Sequence, residues 1–153
     1  MEKYLRLLNP KTTNFDAIGG GNFGALTRED VLLAISYARL STAQDTLIKC
    51  LMGHFTIEEI ERVSCTLISA YTLRDPEISI NDHNGILAFK VAMLELFACS
   101  SNYKPTYRNR AALAGKSHMY VKRSLDRLID DLKSQLKKDL EQAVKRISNQ
   151  IRS

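Results

Sequence analysis

Between Arg108 and Arg127 the chain sets six cations, Arg108, Arg110, Lys116, Lys122, Arg123 and Arg127, around Ser117, His118, Met119 and Tyr120. Guanidinium and ammonium groups in such a cluster do the chemistry of anion recognition, donating charge-assisted hydrogen bonds to phosphate oxygens. On a helix seated in a major groove, the same groups can pair with the edge of a guanine. Lys122, Arg123 and Arg127 are expected to meet bases or phosphates, while Arg108, Arg110 and Lys116 are expected to hold phosphates and fix the register. Tyr120 is expected to pack on a sugar or a thymine methyl group. The ligand this implies is double-stranded DNA.

Such a cluster needs a scaffold, and the intervening residues describe one. Small Ala111 lets two helices cross closely, and Gly115, four residues later, tolerates the left-handed backbone of a sharp turn. Ser117 can accept from the free N–H groups at the start of a second helix. Val121 and Leu125 face inward from that helix, leaving its other side outward. The layout is that of a helix-turn-helix. Arg110 and Lys116 occupy positions that usually hold aliphatic residues, and their stems are expected to cover apolar surface while the charged heads stay wet.

The charge is not spread evenly. The net charge of +5 conceals a first part, residues 1–103, with 9 Lys and Arg against 12 Asp and Glu, and a last part, residues 104–153, with 13 against 5. The last third therefore carries +8. A local excess of this size favours salt-sensitive binding to a polyanion, because each neutralised phosphate releases condensed counterions.

Other constellations fail on context. Gly19 to Gly24, GGGNFG, satisfies a G-x-G-x-x-G spacing, but a phosphate cradle needs a preceding strand in a βαβ unit, and a hinge is the better reading. Glu58, Glu59 and Glu61 suit the positive end of a helix dipole. Asp82 and His83 have no accompanying nucleophile or further ligands. Cys50, Cys65 and Cys99 are three in number, sit in apolar helical patterns and form no C-x-x-C pair, so buried free thiols are expected rather than zinc ligands or disulfides. No enzyme, metal or cofactor is expected. With no leader peptide and no apolar run of about 20 residues, a cytoplasmic protein without a membrane span is expected.

A chain of 153 residues with 44% apolar and 25% charged residues suits one ordinary globular domain. Its periodicity is helical throughout. Residues 1–26 read as an arm with Tyr4, Leu5, Leu7, Leu8 and Phe15, followed by a glycine-rich joint. Residues 27–103 read as a helical body. A capping box at Thr27 and Asp30 opens a helix to about Leu40 with Val31, Ala34, Ile35 and Ala38 on one face. Ser41 caps the next, which stops at Gly53. Thr56 and Glu59 open a third, with Ile57, Ile60, Val63, Leu67, Ile68 and Tyr71 as its apolar stripe, ending near Leu73. Pro76 to Asn84 reads as a loop, with Ile78 and Ile80 hinting at a short extended piece. Gly85 to Ser100 is apolar nearly all round, as a central core helix should be.

Residues 104–153 then combine the helix-turn-helix with one continuous helix from Ser117 to about Gln150. Its stripe of Leu125, Ile129, Leu132, Leu136, Leu140, Ala143, Ile147 and Ile151 has intervals of 4, 3, 4, 4, 3, 4 and 4 residues. That averages near 3.7 and favours a straight helix over a left-handed supercoil. Such a rod would be about 50 Å long, so the stripe beyond Leu136 calls for a cover: a second copy of the chain, a partner protein or the N-terminal arm. The expected fold is an all-α helical bundle with a C-terminal helix-turn-helix and a long terminal helix.

The segment AALAGKSHMYVKR, Ala111–Arg123, resembles the promoter-reading end of sigma factors and, more closely, the lambdoid phage late-gene antitermination Q proteins. YLRLLNPK, a polar linker and LTREDVLLAISYARL are similar in layout to the opening of lambda-type Q proteins, where a Ser-Pro-Lys element and linker precede a helix starting Leu-Thr. The likeness covers residues 4–40 and 85–127. It implies a regulator that binds DNA in a late promoter, engages paused RNA polymerase and its sigma factor, and makes the elongating enzyme ignore terminators. Ser117, His118, Met119, Tyr120, Lys122 and Arg123 would then occupy the recognition helix. Lambda-type members bind zinc through cysteine pairs that this chain lacks, so zinc is not carried over. Two other readings compete: a phage assembly or packaging protein whose terminal helix builds a ring and whose DNA contacts are nonspecific, and a helical adaptor whose basic face binds an acidic protein.

Overall fold

A computed structural model describes residues 27–53, 55–72 and 82–151. The expected arm, the glycine-rich joint and the loop piece at Ile78 and Ile80 lie outside them. Among the described residues every regular element is a helix and none is a strand, so the protein is all-α. In chain order the elements are α1 (Arg28–Tyr37), α2 (Thr42–Leu51), α3 (Ile57–Thr72), α4 (His83–Phe97), α5 (Tyr107–Ala114), α6 (His118–Tyr120), a π-helical turn (Val121–Leu125) and α7 (Asp126–Ile151). None of these helices is long and apolar enough to cross a membrane.

Local sequence starts these helices where the capping residues stand. Thr27 Oγ1 accepts from the Asp30 N–H at 3.2 Å while the Asp30 carboxylate accepts from the Thr27 N–H at 2.9 Å. Ser41 with Gln44 and Thr56 with Glu59 close the same reciprocal pair, satisfying N–H groups that no helical carbonyl can reach. The hydrogen bonds from Thr27 and Thr56 hold the Asp30 and Glu59 carboxyls below their ordinary range. α1 ends at Tyr37, three residues before the expected Leu40, and Arg39 takes a left-handed φ of 48° in the turn to α2. Gly53 closes α2 with a φ of 75°, as its position predicts.

The described residues divide into two compact units, 27–53 with 138–151 and 55–72 with 82–137. The boundary between the units falls inside α7. In the first unit Val31, Ala34 and Ala38 of α1 and its C-cap, Ile48 and Met52 of α2 and its C-cap, and Ala143 and Ile147 of α7 form one buried cluster. Leu140, Val144 and Ile151 pack against its edge. The stripe beyond Leu136 is thus covered by α1 and α2 of the same chain. The sequence argument for a second copy along this helix loses its basis.

In the second unit α3 packs along α4, with the Tyr71 and Phe89 rings 5.4 Å apart and tilted by 46°. Phe89, Val91, Ala92 and Met93 are fully buried, as expected of a central helix. Ile57, assigned to the stripe of α3, is 58% exposed instead, because it is the first residue of the helix and lies ahead of the packed turns. All three cysteines are free thiols, but only Cys50 is buried; Cys99 is half-buried and Cys65 exposed on α3. Burial pushes the Cys50 thiol up to about 12, out of reach of reactivity at neutral pH.

The long terminal helix is continuous in outline but contains the π-helical turn, which a reading of periodicity does not reveal. Val121, Leu125 and Ile129 are all fully buried at successive intervals of four. In a regular α-helix eight residues overshoot two turns by about 80°. The wider turn, closed by the Asp126 N–H on the Val121 carbonyl, absorbs that drift and keeps all three in line.

Candidate nucleic-acid interface

Residues 104–127 build a surface from two short helices and one turn. Thr106 caps α5, its hydroxyl accepting from the Asn109 N–H at 3.2 Å, and the Asn109 amide donates to the Lys104 carbonyl at 2.8 Å. Gly115 ends the helix in the left-handed region, φ 63° and ψ 34°. No atom lies within 4 Å of where its side chain would begin, so backbone conformation alone calls for glycine. The Gly115 and Lys116 N–H groups both turn back to the Ala111 carbonyl. Ser117 then starts α6 by accepting from the Tyr120 N–H at 3.2 Å. Ala111 and Ala114 are buried on the inner side of α5, and Val121 and Leu125 are fully buried, the π-helical turn packing on α4 and α5.

That anchoring leaves an outward edge. Arg108, Lys116, Ser117, His118, Met119, Lys122, Arg123 and Arg127 are exposed. Among the described residues Arg108, Arg123 and Arg127 make no ion pair. Lys122 Nζ lies 5.9 Å from the centre of the Tyr107 ring and Lys116 Nζ 5.7 Å from that of Tyr120, weak attractions at exposed positions.

Two of the expected site residues are placed differently. Tyr120 does not present its hydroxyl outward: it donates to the side-chain oxygen of Asn84 near the start of α4, and the residue is half-buried. Arg110 is the larger correction. Its side chain is 3% exposed, so the guanidinium is not available to a phosphate. Nε and Nη2 donate to the two oxygens of Glu95 at 2.9 and 3.2 Å, Nη1 to Asp126 at 2.7 Å and Nη2 to Asp130 at 2.6 Å. Its head is dry, not wet, because three carboxylates from α4 and α7 converge on it.

Glu95, at the inner end of this hub, has a side chain with no exposed surface, and it also accepts from Lys133 at 2.7 Å and from the Tyr103 hydroxyl at 2.9 Å. Burial acts to raise its carboxyl, but the hydrogen bonds from Arg110, Lys133 and Tyr103 outweigh it and hold the group ionised below the ordinary glutamate range. Burial likewise works against the charge on Arg110, and its bonds to Glu95, Asp130 and Asp126 reverse that. Burial and the adjacent Glu95 push the Tyr103 phenol up.

Glu95, Tyr103, Asp126, Asp130 and Lys133 escaped the reading of the sequence. A signal for them exists. Glu95 is the one charged residue within VAMLELF, and Asp126, Asp130 and Lys133 run at intervals of 4 and 3 beside the apolar stripe of α7. A carboxylate in the most apolar helix needs a buried cation, and Arg110, at an aliphatic position, is the cation out of place.

No protein-family model, curated protein or solved structure matches this chain.

Proposed function

We propose that the protein binds duplex DNA through the outward edge of α5, α6 and the π-helical turn, as a sequence-preferring transcription regulator. The observation that carries this reading is the division of one short helical stretch into two sides. Val121 and Leu125 are wholly buried while His118, Met119, Lys122, Arg123 and Arg127 face solvent, directly after a left-handed turn at Gly115. A rod held from behind with a cationic front has the form needed to enter a major groove, where Arg123 and Lys122 can donate to guanine edges. Arg108 near the start of α5 and Lys116 in the turn supply phosphate contacts. The likeness to the late-gene antitermination Q proteins supplies the proposed setting: a phage late promoter, with RNA polymerase and its sigma factor as partners, in the cytoplasm.

Selection of bound duplexes from a random pool, followed by gel-shift titration of single variants, tests the reading. Arg123→Ala is expected to lose about 1 to 3 kcal/mol on the selected site and to relax its sequence preference. Lys116→Ala is expected to weaken all duplexes alike and to reduce the salt slope by about 1. Wild-type affinity and preference in both variants would overturn the proposal.

A further inference from the structure

We propose that Arg110 is a positioning residue that draws Asp126 and Asp130 inward, and so keeps the outward cations from being neutralised by their own helix. The inference rests on the DNA-binding reading above and deepens it. Asp126 follows Lys122 by four residues and Arg123 by three, and Asp130 follows Arg127 by three. Side chains at these spacings are neighbours on a helical surface, and oppositely charged ones attract. A basic helix with this sequence would therefore tend to pair its own charges and present a muted edge to a polyanion.

The hub prevents that. Arg110 reaches across from α5 and takes Asp126 at 2.7 Å and Asp130 at 2.6 Å. Asp130 is otherwise free to move, since 60% of its side chain is exposed. Glu95 orients the guanidinium: by occupying Nε and one side of Nη2, it leaves the remaining N–H groups aimed at α7. With Asp126 engaged, Arg123 makes no ion pair among the described residues and Lys122 rests over an aromatic ring; Arg127, which Asp131 also follows by four residues, makes none either. Arg110 thus acts on DNA without touching it.

The test is the salt dependence of binding to a short mixed-sequence DNA duplex, with circular dichroism as a check on folding. Replacing a buried ion pair by apolar residues of similar size is often neutral for stability, so Arg110→Met with Glu95→Leu releases the aspartates, together with Lys133 and Tyr103, from the hub. This variant is expected to bind about tenfold more weakly, with a salt slope shallower by roughly two phosphate contacts. Adding Asp126→Asn and Asp130→Asn is expected to restore the slope, a rescue that a purely structural role of Arg110 would not give. The Asp126→Asn, Asp130→Asn pair on the native hub is expected to keep the wild-type slope, because those carboxylates are already withdrawn.

An unchanged slope in the Met–Leu variant, a loss that the asparagines do not restore, or a steeper slope in the native asparagine variant would each overturn the role of Arg110 and leave the DNA reading standing. Failure of the wild-type protein to bind the duplex would overturn both.

Discussion

The two units of the chain are held together by different chemistry. In the unit of α1, α2 and the end of α7, the buried cluster is entirely aliphatic or sulfur-bearing, and Arg146 reaches from the exposed side to the Arg39 carbonyl and the buried Gln44 side chain, both at 3.3 Å. In the unit of α3 to α6, the π-helical turn and the first part of α7, an aromatic and aliphatic core is joined by an ion hub in which Arg110 and Glu95 have almost no exposed surface. Apolar burial is non-directional and tolerates small changes of shape. Ion pairing in a dry site is directional and intolerant of a missing partner. The unit that carries the candidate binding edge is therefore the one whose helices are fixed in angle as well as in contact.

Shape-conserving substitutions should break this comparison most clearly. Glu95→Gln keeps volume but strips the hub of its innermost charge, and a loss of roughly 3 kcal/mol is expected in chemical denaturation. Ile147→Val removes one methylene from the other unit and is expected to cost only about 1 kcal/mol. Equal losses would show that the hub holds no more than ordinary packing does.

Acid should separate the units next. The Glu95 carboxyl is held below its ordinary value, so its contribution to stability is fully present above about pH 4.3 and is lost as pH falls through the lower native value. Amide exchange in α4, α5 and the π-helical turn is expected to accelerate over that range before exchange in α2, whose contacts are aliphatic. Simultaneous release of both sets of amides would contradict the comparison. A single backbone position sharpens it locally: Gly115→Ala meets no atom, so its expected cost of about 1 to 2 kcal/mol is backbone strain alone, read as a modest fall in thermal midpoint without change in the far-ultraviolet spectrum.

Much of the fold was legible because its signals are local. Thr27, Ser41, Thr56 and Ser117 each announce a helix start within three residues, and the stripe from Leu125 to Ile147 states which side of α7 faces inward. The outward cations were legible for the same reason, being what the buried positions leave over. What covers the far end of α7 was not, since α1 and α2 lie about a hundred residues away in sequence, as the Gln44 to Arg146 separation of 102 shows. Arg110 was misread because its partners stand 15, 16 and 20 residues away, and a charge at an aliphatic position looks like a defect until the carboxylates meeting it are known.

The π-helical turn bears on how this edge tolerates gain and loss of residues. Between the anchors Val121 and Leu125 it holds Lys122, Arg123 and Ser124, and shortening that interval to three would put the anchors on the spacing of an ordinary straight helix. The core would accept a one-residue deletion there, at the expense of a side chain facing out. The π-helical turn is thus the point at which the helix carries one residue more than a straight helix would need to join the same anchors.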